Sequence, residues 1–199
     1  MSFVHVVESY GGTAREWNQN SFIRARHFDP GGVCAPLSLR WIRDRKLGVG
    51  FRLDMQTDDS ASQVKRLLLN QKNSPLTFTA TYLQLAGLRR HYTHNLKGDL
   101  SIGKLVAVAT GGVGYYFIGI SSKGVVRDED ASAHALAIDM FATKFANINK
   151  EGKYAFFDPN FGQAEFSDVQ ALKSCFITHF RLEYPTLHGH ASIERYLGR

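Results

Sequence analysis

The chain reads as an α+β protein in which helices come first and an antiparallel sheet follows. Between positions 34 and about 88, apolar residues recur at helical spacing; between 104 and 158 they fall in short β-branched or aromatic runs bounded by Gly, Ser, Lys and Asn. The amphipathic pattern of Ser167–Arg181 then adds a closing helix. The expected organisation is a single domain over residues 1–199. It comprises an N-terminal segment (1–30), a mainly helical part (31–100), the sheet (101–166) and the closing helix (167–182).

The elements follow in order. Phe3–Val7 is a short strand candidate in a weakly periodic start, and His27–Gly32 (HFDPGG) is a turn by its Asp-Pro-Gly-Gly chemistry. CAPLSLRWIRDRKLG begins a helix at Cys34. Pro36 suits the first turn, where its missing N–H costs nothing, and Gly48 closes the element. Trp41 demands a large buried contact, so this helix should be central. A second helix runs from Ser60 to about Lys72 with Val64, Leu67 and Leu68 inside. Asn73-Ser74-Pro75 separates it from a third over Leu76–Leu88. Lys104–Thr110, Tyr115–Ser121, Ala133–Met140 and Tyr154–Asp158 are the expected strands. Gly111–Tyr116 (GGVGYY) has no strand–loop–helix context and reads as a turn into a strand, not a phosphate loop. In the closing helix, Ser167 and Gln170 have capping-box spacing.

Composition narrows the function. With 44% apolar and 21% charged residues in 199, the chain has the balance of a soluble globular protein with one core. The net charge is +6, but the cations are scattered in pairs such as Lys65-Arg66 and Arg89-Arg90, with no basic arm or stripe, which argues against nucleic acid as a partner. Two cysteines, Cys34 and Cys175, form no disulfide framework. The start MSFVHVVESYGG lacks the basic and apolar regions of a cleaved secretory signal, and no stretch approaches the roughly 18 apolar residues of a membrane span. His5, His27, His91, His94, His179, His188 and His190 show no convincing metal spacing, so neither a metal nor another cofactor is expected. Asp128-Glu129-Asp130 reads as a solvated loop that could favour a basic substrate.

Three residues carry the chemistry. Cys34 follows Gly31-Gly32-Val33 at a helix start, where free backbone N–H groups and the positive end of the helix dipole favour thiolate over thiol. Its own N–H would be available to an oxyanion. His134 opens an apolar strand between small alanines, which leaves room for its ring to approach a thiol as a base. Asp158 ends the next strand, where a carboxylate can accept the imidazole N–H and fix its tautomer. Each has an ordinary reading too: a buried helix-start cysteine, a strand-edge histidine, an Asp-Pro-Asn turn.

Taken together, GVCAPLSLRWI, AHALAI and FFDPNFG resemble segments of the YopT/AvrPphB family of bacterial effector cysteine proteases, in that family's order. The spacing is 100 residues from Cys34 to His134 and 24 from His134 to Asp158, the latter with room for a hairpin around Ile148–Gly152. The resemblance implies a papain-like fold, with a helical lobe bearing the nucleophile packed on an antiparallel sheet bearing His and Asp. It implies Cys34 as nucleophile, His134 as general base and acid, and Asp158 as orienting carboxylate. Papain-like enzymes also place an amide side chain before the cysteine. Position minus five is Asp29, which would repel an oxyanion, so Gln19 is assigned that role beside the Cys34 backbone N–H. The expected activity is thiol-dependent cleavage of a target-cell protein after delivery by a specialised secretion system, with action in the target-cell cytoplasm. The same parts would serve a glutamine deamidase or transglutaminase, and a catalytically silent binding module could keep the fold.

Overall fold

The computed structural model describes residues 1–26, 32–50, 58–73, 77–97, 101–122, 133–143, 153–186 and 189–198. Within them lies an antiparallel sheet of β1 (Thr13–Glu16), β2 (Leu88–Lys97), β3 (Tyr115–Ser121), β4 (Ala133–Thr143), β5 (Lys153–Asp158), β6 (Gly162–Phe166) and β7 (His190–Gly198), in the spatial order β1-β6-β5-β4-β3-β7-β2. The helices are α1 (Phe3–Ser9), α2 (Gln19–Arg26), α3 (Cys34–Lys46), α4 (Asp58–Asn73), α5 (Phe78–Leu85), α6 (Ile102–Ala109) and α7 (Val169–Glu183).

Both faces of the central strands are covered, and strand alternation sorts their side chains between two cores. Tyr116, Ile118, Leu136, Ile138 and Phe156 pack with α1, α6 and α7 residues such as Phe3, Leu105 and Phe176. Tyr115, Ala135, Ala137, Ala155 and Phe157 pack instead with Phe22, Leu37, Trp41, Val64 and Leu83 from α2 to α5. The alanines at 135 and 137 are what let α3 lie close on β4.

Helix α3 buries eleven of its thirteen residues, as a central helix must. Trp41 is fully buried, stacks on Phe157 with ring centroids 5.8 Å apart, and donates its indole N–H to Gln163 at 2.7 Å. Near the helix C-terminus, Arg45 is equally buried. Its guanidinium donates to Asp139 on β4 (2.8 Å), Glu165 on β6 (2.6 Å) and the Lys153 carbonyl on β5 (2.9 Å). One side chain thus ties the helix to three strands.

The structure corrects several expectations. Phe3–Val7 is helix, not strand: Ser2 caps it by accepting from the His5 N–H, and Phe3, Val6 and Val7 form an i, i+3, i+4 buried face. Lys104–Thr110 lies largely in α6, where Leu105, Val106 and Ala109 make the same kind of face, so contact with the sheet and α7 overrides the β preference of its valines. The α7 cap is Asp168, accepting from Ala171 N–H at 2.7 Å, not Ser167. Helix α7 does not close the chain, because β7 follows it and inserts between β3 and β2. Strand β2 interrupts the part expected to be mainly helical, and β1 and β6 were not anticipated. The helices at 34, 60 and 76 and the strands at 115, 133 and 154 form as expected. His27–Gly31, Asp128-Glu129-Asp130 and Ile148–Gly152 lie outside the described residues.

Candidate active site

The site forms where one end of the sheet meets the N-terminus of α3. Gly32, with φ of +115°, turns the chain into the helix in a conformation that L side chains rarely adopt. Val33 caps α3 without a side-chain hydrogen bond, and Cys34 enters the first turn of the helix, where backbone amides have no intrahelical acceptor. One turn on, Ser38 donates its hydroxyl to the Ala135 carbonyl at 3.1 Å, fastening the helix beside His134.

The strand register supplies the rest. Ala137 pairs with Phe157, which makes His134 and Asp158 diagonal neighbours on one face. His134 Nε2 donates to Asp158 Oδ1 at 2.9 Å, since the ionised carboxylate only accepts. That leaves Nδ1 as the other ring nitrogen, and Cys34 lies close enough to help Asp158 raise the His134 pKa. After Asp158, the Asp-Pro-Asn turn closes on Gly162. Its φ is +127°, and a Cβ there would overlap the Arg15 carbonyl oxygen, so glycine is required.

Burial acts most strongly on His134 and disfavours its cation. The Asp158 charge and hydrogen bond, then those of Cys34, more than offset it and raise the imidazole from 6.5 to about 10. Burial likewise opposes the Asp158 anion, but His134 and then His179 hold it well below the usual carboxylate range. His134 therefore contributes stability that is complete below pH 6.5 and is lost as pH rises toward about 10. The Asp158 contribution is complete above pH 3.8 and is lost as pH falls through its lowered value. Both are present between about pH 4 and 6.5. Asp158→Asn should accordingly depress the melting temperature most in that window and progressively less toward pH 10. A depression constant from pH 5 to 10 would contradict the coupling.

Gln19 is brought to the loop after Asp158. Its N–H donates to the Pro159 carbonyl (2.8 Å) and its side-chain Nε2 to Asn160 Oδ1 (2.6 Å), while Oε1 is buried with no partner among the described residues. The amide thus faces Asn160 in this structure. Two residues escaped the sequence reading. His179 Nε2 and the Tyr184 hydroxyl donate to Asp158 Oδ2 at 2.8 and 2.7 Å. The available signal was a histidine in the otherwise apolar stripe Leu172, Cys175, Phe176, Phe180. Cys175 is remote in character: burial pushes its thiol up to about 12, and neither cysteine is in a disulfide. Among the described residues no cluster is placed to hold a metal ion, and no helix is long and apolar enough to cross a membrane.

A helix with a cysteine at its start, laid on an antiparallel sheet that ends in paired His and Asp, is a papain-like architecture, and one solved structure shares the fold. The avirulence protein AvrPphB of Pseudomonas superposes with a TM-score of 0.55 at 16% identity, over 84% of this chain and 93% of that one. The YopT domain of the Pasteurella multocida PfhB2 toxin aligns over 89% of each chain at 18% identity, with a TM-score of 0.34. The chain belongs to the Peptidase_C58 family, described as Yersinia/Haemophilus virulence surface antigen, whose model matches residues 5–186. That family is one of cysteine peptidases, so its substrates are proteins. No curated protein matches the chain.

Proposed function

We propose that this protein is a cysteine protease in which Cys34, His134 and Asp158 form the catalytic triad, and that it acts as a secreted bacterial effector on a protein of the target cell. The observation that carries the reading is the hydrogen bond from His134 Nε2 to Asp158, which leaves Nδ1 to the thiol at the start of α3. In this reaction His134 holds the thiol proton as an imidazolium while the Cys34 thiolate attacks the scissile carbonyl. The oxyanion gathers at the uncapped first turn of α3, including the Cys34 N–H. His134 then returns its proton to the leaving amine, and a water deprotonated by His134 cleaves the thioester.

Gln19 joins the oxyanion site if its amide turns from Asn160, exchanging the Nε2 hydrogen bond to Asn160 for one to the oxyanion. Membership in a virulence-associated peptidase family supports delivery into a target cell.

Iodoacetamide tests the reading directly. Cys34 should be alkylated at least about 10-fold faster than Cys175 at neutral pH, as measured by peptide mapping. Equal rates end the activated-thiolate idea. Mass spectrometry of a target-cell lysate treated with the protein should then show new peptide termini dependent on Cys34. A gain of about one mass unit at a glutamine, without new termini, would instead mean deamidation.

A further inference from the structure

A carboxylate offers about four acceptor positions, and Asp158 has a donor at each. Oδ1 receives His134 Nε2 and the Asn160 N–H, both at 2.9 Å. Oδ2 receives His179 Nε2 at 2.8 Å and the Tyr184 hydroxyl at 2.7 Å. The Oδ2 donors both come from α7 and its C-cap. We infer that His179 and Tyr184 are positioning residues of this site: they fix the plane of the Asp158 carboxylate, so that His134 commits Nε2 to it and keeps Nδ1 for Cys34. The inference rests on the triad reading above.

The surroundings of each residue favour a role beyond packing. His179 is nearly fully buried, ringed by Phe3, Phe156 and Phe161 at centroid distances of 5.2, 5.7 and 4.9 Å. An imidazole there loses its hydration, and the bond to Asp158 is its compensation. Tyr184 does two things at once. Its ring stacks on His134 at 5.0 Å and 23°, limiting rotation of the imidazole, while its hydroxyl holds the carboxylate. Asn160 Nδ2 donates to the Tyr184 oxygen at 3.2 Å and so orients that hydroxyl. The titratable groups facing His134 are Cys34 from α3, Asp158 from β5 and Tyr184 after α7; those facing Asp158 are His134, His179 and Tyr184.

With Oδ2 stripped of a donor, the carboxylate is free to turn and stabilises the His134 cation less. The thiolate–imidazolium pair then loses population at low pH, whereas at high pH the thiolate forms without that help.

The experiment uses the full chain and iodoacetamide, with Cys175 as internal reference. His179→Phe keeps a ring within the aromatic cage and removes the donor. His179→Gln returns an N–H near the place of Nε2. Tyr184→Phe removes only the hydroxyl. In His179→Phe the alkylation rate of Cys34 should fall about 10-fold at pH 6 and stay within about 2-fold of the unmodified chain at pH 9. Tyr184→Phe should move the same way, and His179→Gln should recover to within about 3-fold. Rates unchanged at both pH values, or lowered equally at both, overturn the inference, as does failure of His179→Gln to recover. If His179→Phe does not fold, Tyr184→Phe decides by the same criterion. Should Cys34 of the unmodified chain react no faster than Cys175, the triad reading itself fails. Should it react fast and be slowed by Asp158→Asn but not by His179→Phe or Tyr184→Phe, only the positioning role fails.

Discussion

Cys34→Ala is expected to abolish peptide-bond cleavage, and His134→Ala to lower it by at least about 10³-fold, the scale on which covalent-catalysis residues act as a unit. The reason is the covalent step. Without Cys34 no thioester forms, and the other thiol cannot substitute, because Cys175 is fully buried among the phenylalanines of the α7 core. Without His134 there is no proton acceptor for the thiol and no donor for the leaving amine. The first of these changes should not unfold the protein. Cys34→Ala removes one sulfur from a helix held by Ser38, Trp41 and Arg45, so its melting temperature should stay within a few degrees of the parent. Cleavage of a substrate protein by purified Cys34→Ala, at a rate near that of the parent, would sink the assignment.

Arg45→Ala should be the most damaging single change to stability outside the apolar core. Arg45 and Asp139 are both shut from solvent, and truncation of the guanidinium leaves Asp139 as an unpaired buried charge and Glu165 without its cation. Breaking a buried pair in this way costs about 3–5 kcal/mol. In a chain of this length that corresponds to a fall of roughly 6–20 °C in melting temperature. Replacing Arg45, Asp139 and Glu165 together by Met or Leu should recover most of the loss, because no charge is then stranded. A fall of less than about 1 kcal/mol for Arg45→Ala, read from a thermal or urea melt, would mean that the network does not anchor α3.

The legible parts of the fold were those where one period dominates. Helix α3 begins at Cys34 and is over by Gly48 because Pro36, Trp41 and Gly48 all agree with it. Strands β3, β4 and β5 are continuous apolar runs because both of their faces are covered. Edge and rim elements were hidden for the complementary reason. Strand β2, LRRHYTHNLK, is at the sheet edge, exposed along most of its length and shifted in register between Arg90 and Tyr92, so it shows no clean alternation. Helices α1 and α6 are short and valine-rich, and only their tertiary neighbours select the helix. In the site, Cys34, His134 and Asp158 stand out because each sits at a boundary of a regular element. His179 and Tyr184 lie on and just beyond a helix whose pattern explains itself as core, so nothing local marks them as neighbours of a carboxylate 21 and 26 residues earlier.

The strand order governs when the groups of the proposed triad meet. Strand β1 finds its partner in β6, and β3 pairs with β7 beyond the whole of α7, so the sheet is stitched from distant stretches of chain. Folding that depends on such remote pairings is slow and late. The groups around Asp158 obey the same logic, since Gln19, His134 and Tyr184 reach its loop from three separate regions. No one of these regions alone carries the groups of the proposed centre. A chain still emerging, or one pulled open, keeps the thiol of the proposed triad apart from its imidazole until distant parts of the sequence have met.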